Sequence, residues 1–109
     1  MKNSKDLKEV MKEYAEKGAY SDYIDHVTTL LEDENTQYDK VDLLMSRGDC
    51  YIKLRKFGDA LRDYRNALNI DAENVTAKTK IGMVENILSI ENTFYYENAY
   101  TDQSLFPEM

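Results

Sequence analysis

The chain has little of several things that would send it elsewhere. A single cysteine among 109 residues, Cys50, cannot build a disulfide framework and points to a reducing compartment, so a cytoplasmic location is expected. No apolar run approaches the roughly 20 residues that a membrane span needs, and no signal peptide is read at the start. Basic residues are outnumbered, 14 Lys and Arg against 21 Asp and Glu, which gives a net charge of −7. Nucleic acid is therefore not an expected partner, because binding it takes a basic stripe that displaces phosphate counterions. One proline and four glycines fit an all-helical chain with short connections.

Catalytic and metal-binding constellations are also missing. His26 is the one histidine; it sits between Tyr23 and Val27 and is expected near the surface. A zinc site takes three or four N/S ligands, and Cys50 with His26 supplies two at most. No phosphate-binding glycine loop and no nucleophile elbow is present. Glu32-Asp33-Glu34 lacks the spacing of a calcium loop and reads as a solvated helix end. Asp59 and Asp63, beside Arg62 and Arg55, read as a surface ion-pair face. Neither an enzyme nor a cofactor or metal is expected.

What is present is helical periodicity. Leu44, Gly48, Tyr51 and Leu54 recur at steps of four, three and three, one face of a helix. After Arg55-Lys56 a second set follows: Phe57, Ala60, Leu61, Tyr64, Ala67 and Leu68. Glycine inside a helix costs about 1 kcal/mol against alanine, so Gly48 implies a close backbone approach. Upstream, Leu7, Val10, Met11 and Tyr14 share a face, with Ser4 as the N-cap. Gly18 suits the left-handed turn that ends this helix, and Tyr20, Tyr23, Ile24, Val27, Leu30 and Leu31 form the next inward face. The first pair of helices aligns on the second at an offset of 37 residues, with Met11 and Tyr23 where the second has small residues. After Asn74 the pattern starts again with Ala77, Ile81, Gly82, Val84 and Leu88.

Residues 41–74 resemble one tetratricopeptide repeat (TPR), a 34-residue helix–turn–helix unit. With Val41 as first position, Leu44, Gly48, Tyr51, Phe57, Ala60, Tyr64 and Ala67 fall on the family's signature positions. Asp71-Ala72-Glu73-Asn74 matches the exit motif apart from Ala72, which replaces its proline. Arg47 stands where an aliphatic residue is usual, and Arg55 replaces the turn glycine. The aromatic ending of the last helix loosely resembles small stand-alone bacterial TPR proteins.

The resemblance implies an all-α fold: an α-solenoid of antiparallel helix pairs with a right-handed superhelical twist. One domain over residues 1–100 is expected. It comprises a first repeat at about 4–37, a second at about 41–74, and a capping helix at about 75–92. Phe94, Tyr95, Tyr96 and Tyr100 are expected to cover the last helix, and 101–109 form a tail. The resemblance also implies a concave groove for a peptide or a partner's helix. Carried over by position, the groove holds Lys5, Lys8 and Lys12 from the first helix. Asp42, Met45, Asp49 and Lys53 come from the third, and Thr76, Thr79, Met83 and Asn86 from the fifth. The lysines follow helical steps, giving a local positive patch that suits a carboxylate-bearing peptide. The five carboxylate-clamp positions of chaperone-binding TPR domains fall here on Lys8, Lys12, Ser46, Thr76 and Lys80. Two amide donors and one cation of that clamp are absent, which argues against a chaperone tail as ligand. The expected function is a protein-interaction module, monomeric or weakly dimeric. The alternative is a self-associating module whose acidic aromatic tail caps or fills the groove.

Overall fold

The computed structural model describes residues 6–101, with side chains up to residue 91. Those residues form five helices and no strand: α1 (Leu7–Glu16), α2 (Tyr20–Glu32), α3 (Lys40–Lys53), α4 (Phe57–Ile70) and α5 (Val75–Thr101). The fold is all-α. Each helix packs on the next in the chain, and α1 also rests on α3. Among the described residues no helix is long and apolar enough to cross a membrane.

Local chemistry sets the ends. Asp6 caps α1 by accepting from the Lys8 amide at 3.4 Å; the expected cap, Ser4, lies outside the described residues. Gly18, at φ 68°, takes the left-handed turn between α1 and α2. Asp39 caps α3 through the Val41 amide. Arg55 also adopts a left-handed backbone, at φ 59°. That conformation costs a side-chain-bearing residue about 1–2 kcal/mol. The Arg55 guanidinium meanwhile lies over the Phe57 ring at 5.1 Å and reaches Glu91 of α5 at 3.0 Å. Asn74 caps α5, accepting from the Ala77 amide at 2.9 Å.

The core follows the periodic stripes. Leu7, Tyr23, Ile24, Val27, Leu43 and Cys50 pack between α1, α2 and α3, while Phe57, Ala60, Tyr64 and Val84 join α4 to α5. Tyr23 fills the first of these clusters with a fully buried ring, edge-on to Tyr14 at 5.3 Å between centroids. His26 is exposed and stacks on the Tyr14 ring.

Two sequence readings need correction. Asp59 does pair with Arg62 on the surface, but Asp63 is fully buried and its partner is Arg47. Arg47 grips that carboxylate in a fork, Nε donating to Oδ2 at 2.8 Å and Nη2 to Oδ1 at 2.6 Å. Its Nη1 donates to Thr28 Oγ1 at 2.9 Å, so one guanidinium ties α2, α3 and α4 together. The second correction concerns α5, which runs past residue 92 to Thr101. Phe94, Tyr95, Tyr96 and Tyr100 thus continue the same helix. Their side chains, like residues 102–109, lie outside the described part.

Cys50 is a free thiol with no exposed surface. Burial, followed by the nearby Asp49 charge, pushes its pKa up to about 11, and burial pushes the Tyr23 phenol up to about 12. Both shifts mean that the folded chain keeps protons which the unfolded chain has already released. Stability is therefore intact below the ordinary thiol range, near pH 8.5, and falls as the pH climbs towards about 12. The urea midpoint should be lower at pH 11 than at pH 8; equal midpoints would contradict it. At pH 8 a thiol reagent should label Cys50 only as fast as the fold opens.

Candidate functional site

Two hollows adjoin on the face formed by α1 and α3. The first, about 250 Å³, has Leu7, Met11, Met45 and Ser46 as its floor and Asp6, Lys8, Asp42 and Asp49 at its rim. The second, about 200 Å³, runs on past Lys12 and Ala15 to Tyr20 and Lys53. Lys8, Met11 and Asp49 belong to both. The hollows form one shallow trough with an apolar base and charged edges.

Helix periodicity places these groups. Lys8, Met11, Lys12 and Ala15 fall on one side of α1, and Asp42, Met45, Ser46, Asp49 and Lys53 on one side of α3. The base is fixed from below by Ser46, whose hydroxyl donates to the Met11 sulfur at 3.7 Å and is hydrogen-bonded to the Tyr23 hydroxyl. Met11 and Tyr23 are the two residues that replace small ones in the first pair of helices. Their size is absorbed by this chain of contacts, which holds α1 against α3.

Asp49 is the junction of the trough. Its Oδ1 accepts from the Tyr64 hydroxyl at 2.6 Å and from Lys80 Nζ, also at 2.6 Å. The Tyr64 phenol is pushed far up, first by burial and then by its bond to Asp49, so it remains a donor at any physiological pH. Lys80 also lies 5.8 Å from the Tyr64 ring centroid. Burial, with help from Asp39 and Asp6, raises the Asp42 carboxyl. Lys8, Lys12 and Lys53 form no ion pair with any described residue, which places three such cations around the trough.

Of the residues singled out from the sequence, Lys8, Lys12, Asp42, Met45, Asp49 and Lys53 come together here. Lys5 lies outside the described residues. Thr76, Thr79, Met83 and Asn86 are exposed on α5 and line neither hollow. The edge is mixed in charge, because Asp6, Asp42 and Asp49 face the lysines. At the carboxylate-clamp positions, Lys80 is already held by Asp49 and Ser46 is engaged with Tyr23 and Met11. Sequence reasoning missed Leu7 and Met11 as lining and missed Tyr64 and Lys80 as the partners of Asp49. Tyr64 and Asp49 lie 15 residues apart on different helices, so no local spacing could have joined them. No protein-family model, curated protein or solved structure matches the chain.

Proposed function

We propose that the chain is a minimal TPR solenoid, two helix pairs closed by α5, that acts by binding rather than by catalysis. Its ligand is an extended peptide or a partner's helix lying along the α1–α3 trough. The observation that carries this reading is the trough itself: two hollows joined through Lys8, Met11 and Asp49, with a methionine base and unpaired lysines at the edge. Methionine is flexible and polarizable and adapts to different apolar side chains. The chemistry fits a segment with one or two apolar anchors for Met11 and Met45 and carboxylates for Lys8, Lys12 and Lys53. The packing of each helix on the next, with α1 also on α3, supports the solenoid reading. So does the pairing of Gly48 with Tyr64 inside one repeat. A right-handed superhelix and a cytoplasmic setting, with Cys50 unpaired, belong to the same proposal.

Selection of peptides from a random library, displayed against the full chain, tests it. Enriched peptides should combine acidic and apolar residues. They should bind Lys8→Glu/Lys12→Glu at least about tenfold more weakly, a loss of about 1.4 kcal/mol. The control, Lys17→Glu/Lys40→Glu, makes the same charge change outside both hollows and should bind normally. A failure to enrich any peptide, or equal loss in both variants, would overturn the groove assignment.

A further inference from the structure

α5 carries large apolar side chains on two opposite faces. Ala77, Ile81, Val84, Ile87 and Leu88 point inward, where Ala77 and Val84 are fully buried. The outward face carries Val75, Thr79, Gly82, Met83, Asn86 and Ile90, all exposed and all within one helical stripe. Val75, Met83 and Ile90 are 70%, 45% and 67% exposed, and only Ile70 joins them as an exposed large apolar side chain among the described residues. The stripe holds no charge, on a chain in which 32% of residues are charged. A helix apolar on both sides is built to be covered on both.

The order of residues along the stripe indicates what covers it. Read outward from the point between Gly82 and Met83, it pairs small with large, then Thr79 with Asn86, then Val75 with Ile90. A second copy of α5 laid antiparallel across a two-fold axis at that point brings each residue opposite its match. Gly82 meets Met83 of the second copy, the two polar side chains can hydrogen-bond, and the two β-branched residues pack together at each end. Gly82 is bare enough for this, since a Cβ built there meets no atom within 4 Å. On the flank, Lys78 comes opposite the turn of the second copy that carries Glu85. Lys78 makes no ion pair with a described residue, and Glu85 is held only by the exposed Arg65 at 2.7 Å. That juxtaposition is attractive and occurs twice by symmetry.

We propose that α5 is a homodimerisation helix, pairing antiparallel with its counterpart about a two-fold axis at Gly82–Met83. The pairing does not depend on what binds in the α1–α3 trough. It reassigns Thr79, Met83 and Asn86 from a peptide groove to a self-contact. A single helix pair buries less than the ~1,200 Å² of a standard interface, so the dimer exchanges readily, with a dissociation constant of about micromolar or weaker.

Cross-linking of the full chain reads the geometry. Val75→Cys and Ile90→Cys variants, mixed and oxidised at millimolar concentration, should give a 75–90 disulfide between chains. Val75→Cys alone should give little, because two such residues lie ~22 Å apart across an antiparallel pair. Sedimentation should show a monomer–dimer equilibrium, and Met83→Glu, a surface change that leaves helicity intact, should shift dissociation to at least about tenfold higher concentration. A monomer at all concentrations, a dimer untouched by Met83→Glu, or ready 75–75 cross-linking would overturn the proposal. So would a monomer in which the thiols introduced at positions 75 and 90 are shielded by the chain's own C-terminal segment.

Discussion

Arg47→Ala is expected to cost about 3–5 kcal/mol of folding stability, the largest effect of any single truncation outside the apolar core. The Asp63 carboxylate has no exposed surface, and among the described residues Arg47 is the one cation that satisfies it; the Arg47 side chain is itself only 15% exposed. Removing the guanidinium leaves a buried charge with no water to replace it. The same cut deprives Thr28 of a donor and loosens α2 from α3. A loss of this size is a large share of the 5–15 kcal/mol that an ordinary domain has. Exposed pairs such as Arg62–Asp59 and Arg65–Glu85 should contribute at most about 1 kcal/mol each. Chemical denaturation of Arg47→Ala, Asp63→Ala, and Arg47→Leu/Asp63→Leu decides the matter. Each single variant should fall by several kcal/mol, and the double variant should recover most of the loss, since well-packed apolar pairs replace buried ion pairs at little cost. If the double variant is as unstable as the singles, the pair is needed for packing as well as charge. If Arg47→Ala is unchanged, water reaches Asp63 and the burial argument fails.

The Arg47–Asp63 pair marks the boundary of what the sequence discloses. Inward stripes of α2, α3 and α4 were legible because a 3.6-residue period repeats the core requirement at every turn, and Gly18 announced its left-handed turn. Only Arg47 stands out in the sequence as an oddity; Asp63 reads there as part of a surface ion-pair face. Arg47 interrupts an apolar pattern, and Asp63 lies between Ala60 and Ala67 on a buried stripe. Their pairing joins residues 16 positions apart on neighbouring helices, and Arg62 and Arg55 offered Asp63 nearer partners along the chain. Proximity in sequence decided the reading; the cost of desolvation would have reversed it, because a carboxylate on a core stripe needs a cation that can follow it inside. The trough shows the same limit. Its α3 edge is what the repeat resemblance implies, but the binding of Asp49 by Tyr64 and Lys80 depends on three helices meeting. The extent of α5 was misjudged for another reason. No proline or glycine stops it at residue 92, and an aromatic composition does not by itself end a helix, so the helical backbone continues to Thr101.

Gly48→Ala and Gly82→Ala should move stability in opposite directions, although the two glycines stand at equivalent places in the repeating pattern. A Cβ on Gly48 would lie 2.6 Å from Cε1 and 3.0 Å from Cδ1 of Tyr64, well inside contact distance. That ring cannot swing aside: it has no exposed surface, and its hydroxyl is anchored on Asp49 at 2.6 Å. Overpacking of this kind costs typically about 1–3 kcal/mol and here disturbs a hydrogen bond as well. The ~1 kcal/mol gained in helix propensity offsets only part of it. At Gly82 no atom waits within 4 Å, since among the described residues no helix follows α5 to lay an aromatic ring against it. Alanine there collects the propensity gain alone, about 1 kcal/mol, when measured on dilute monomer. Thermal melts at low micromolar concentration should therefore place Gly48→Ala below wild type and Gly82→Ala above it. Tyr64→Phe should not rescue Gly48→Ala, since the collision is with ring carbons, whereas Tyr64→Leu should relieve part of it. Gly82→Ala at millimolar concentration carries the opposite sign for assembly: a methyl at the two-fold crossing should weaken the α5 dimer while it strengthens the helix. A variant that melts higher yet dimerises less would show that this glycine is retained for contact between chains and not for the fold.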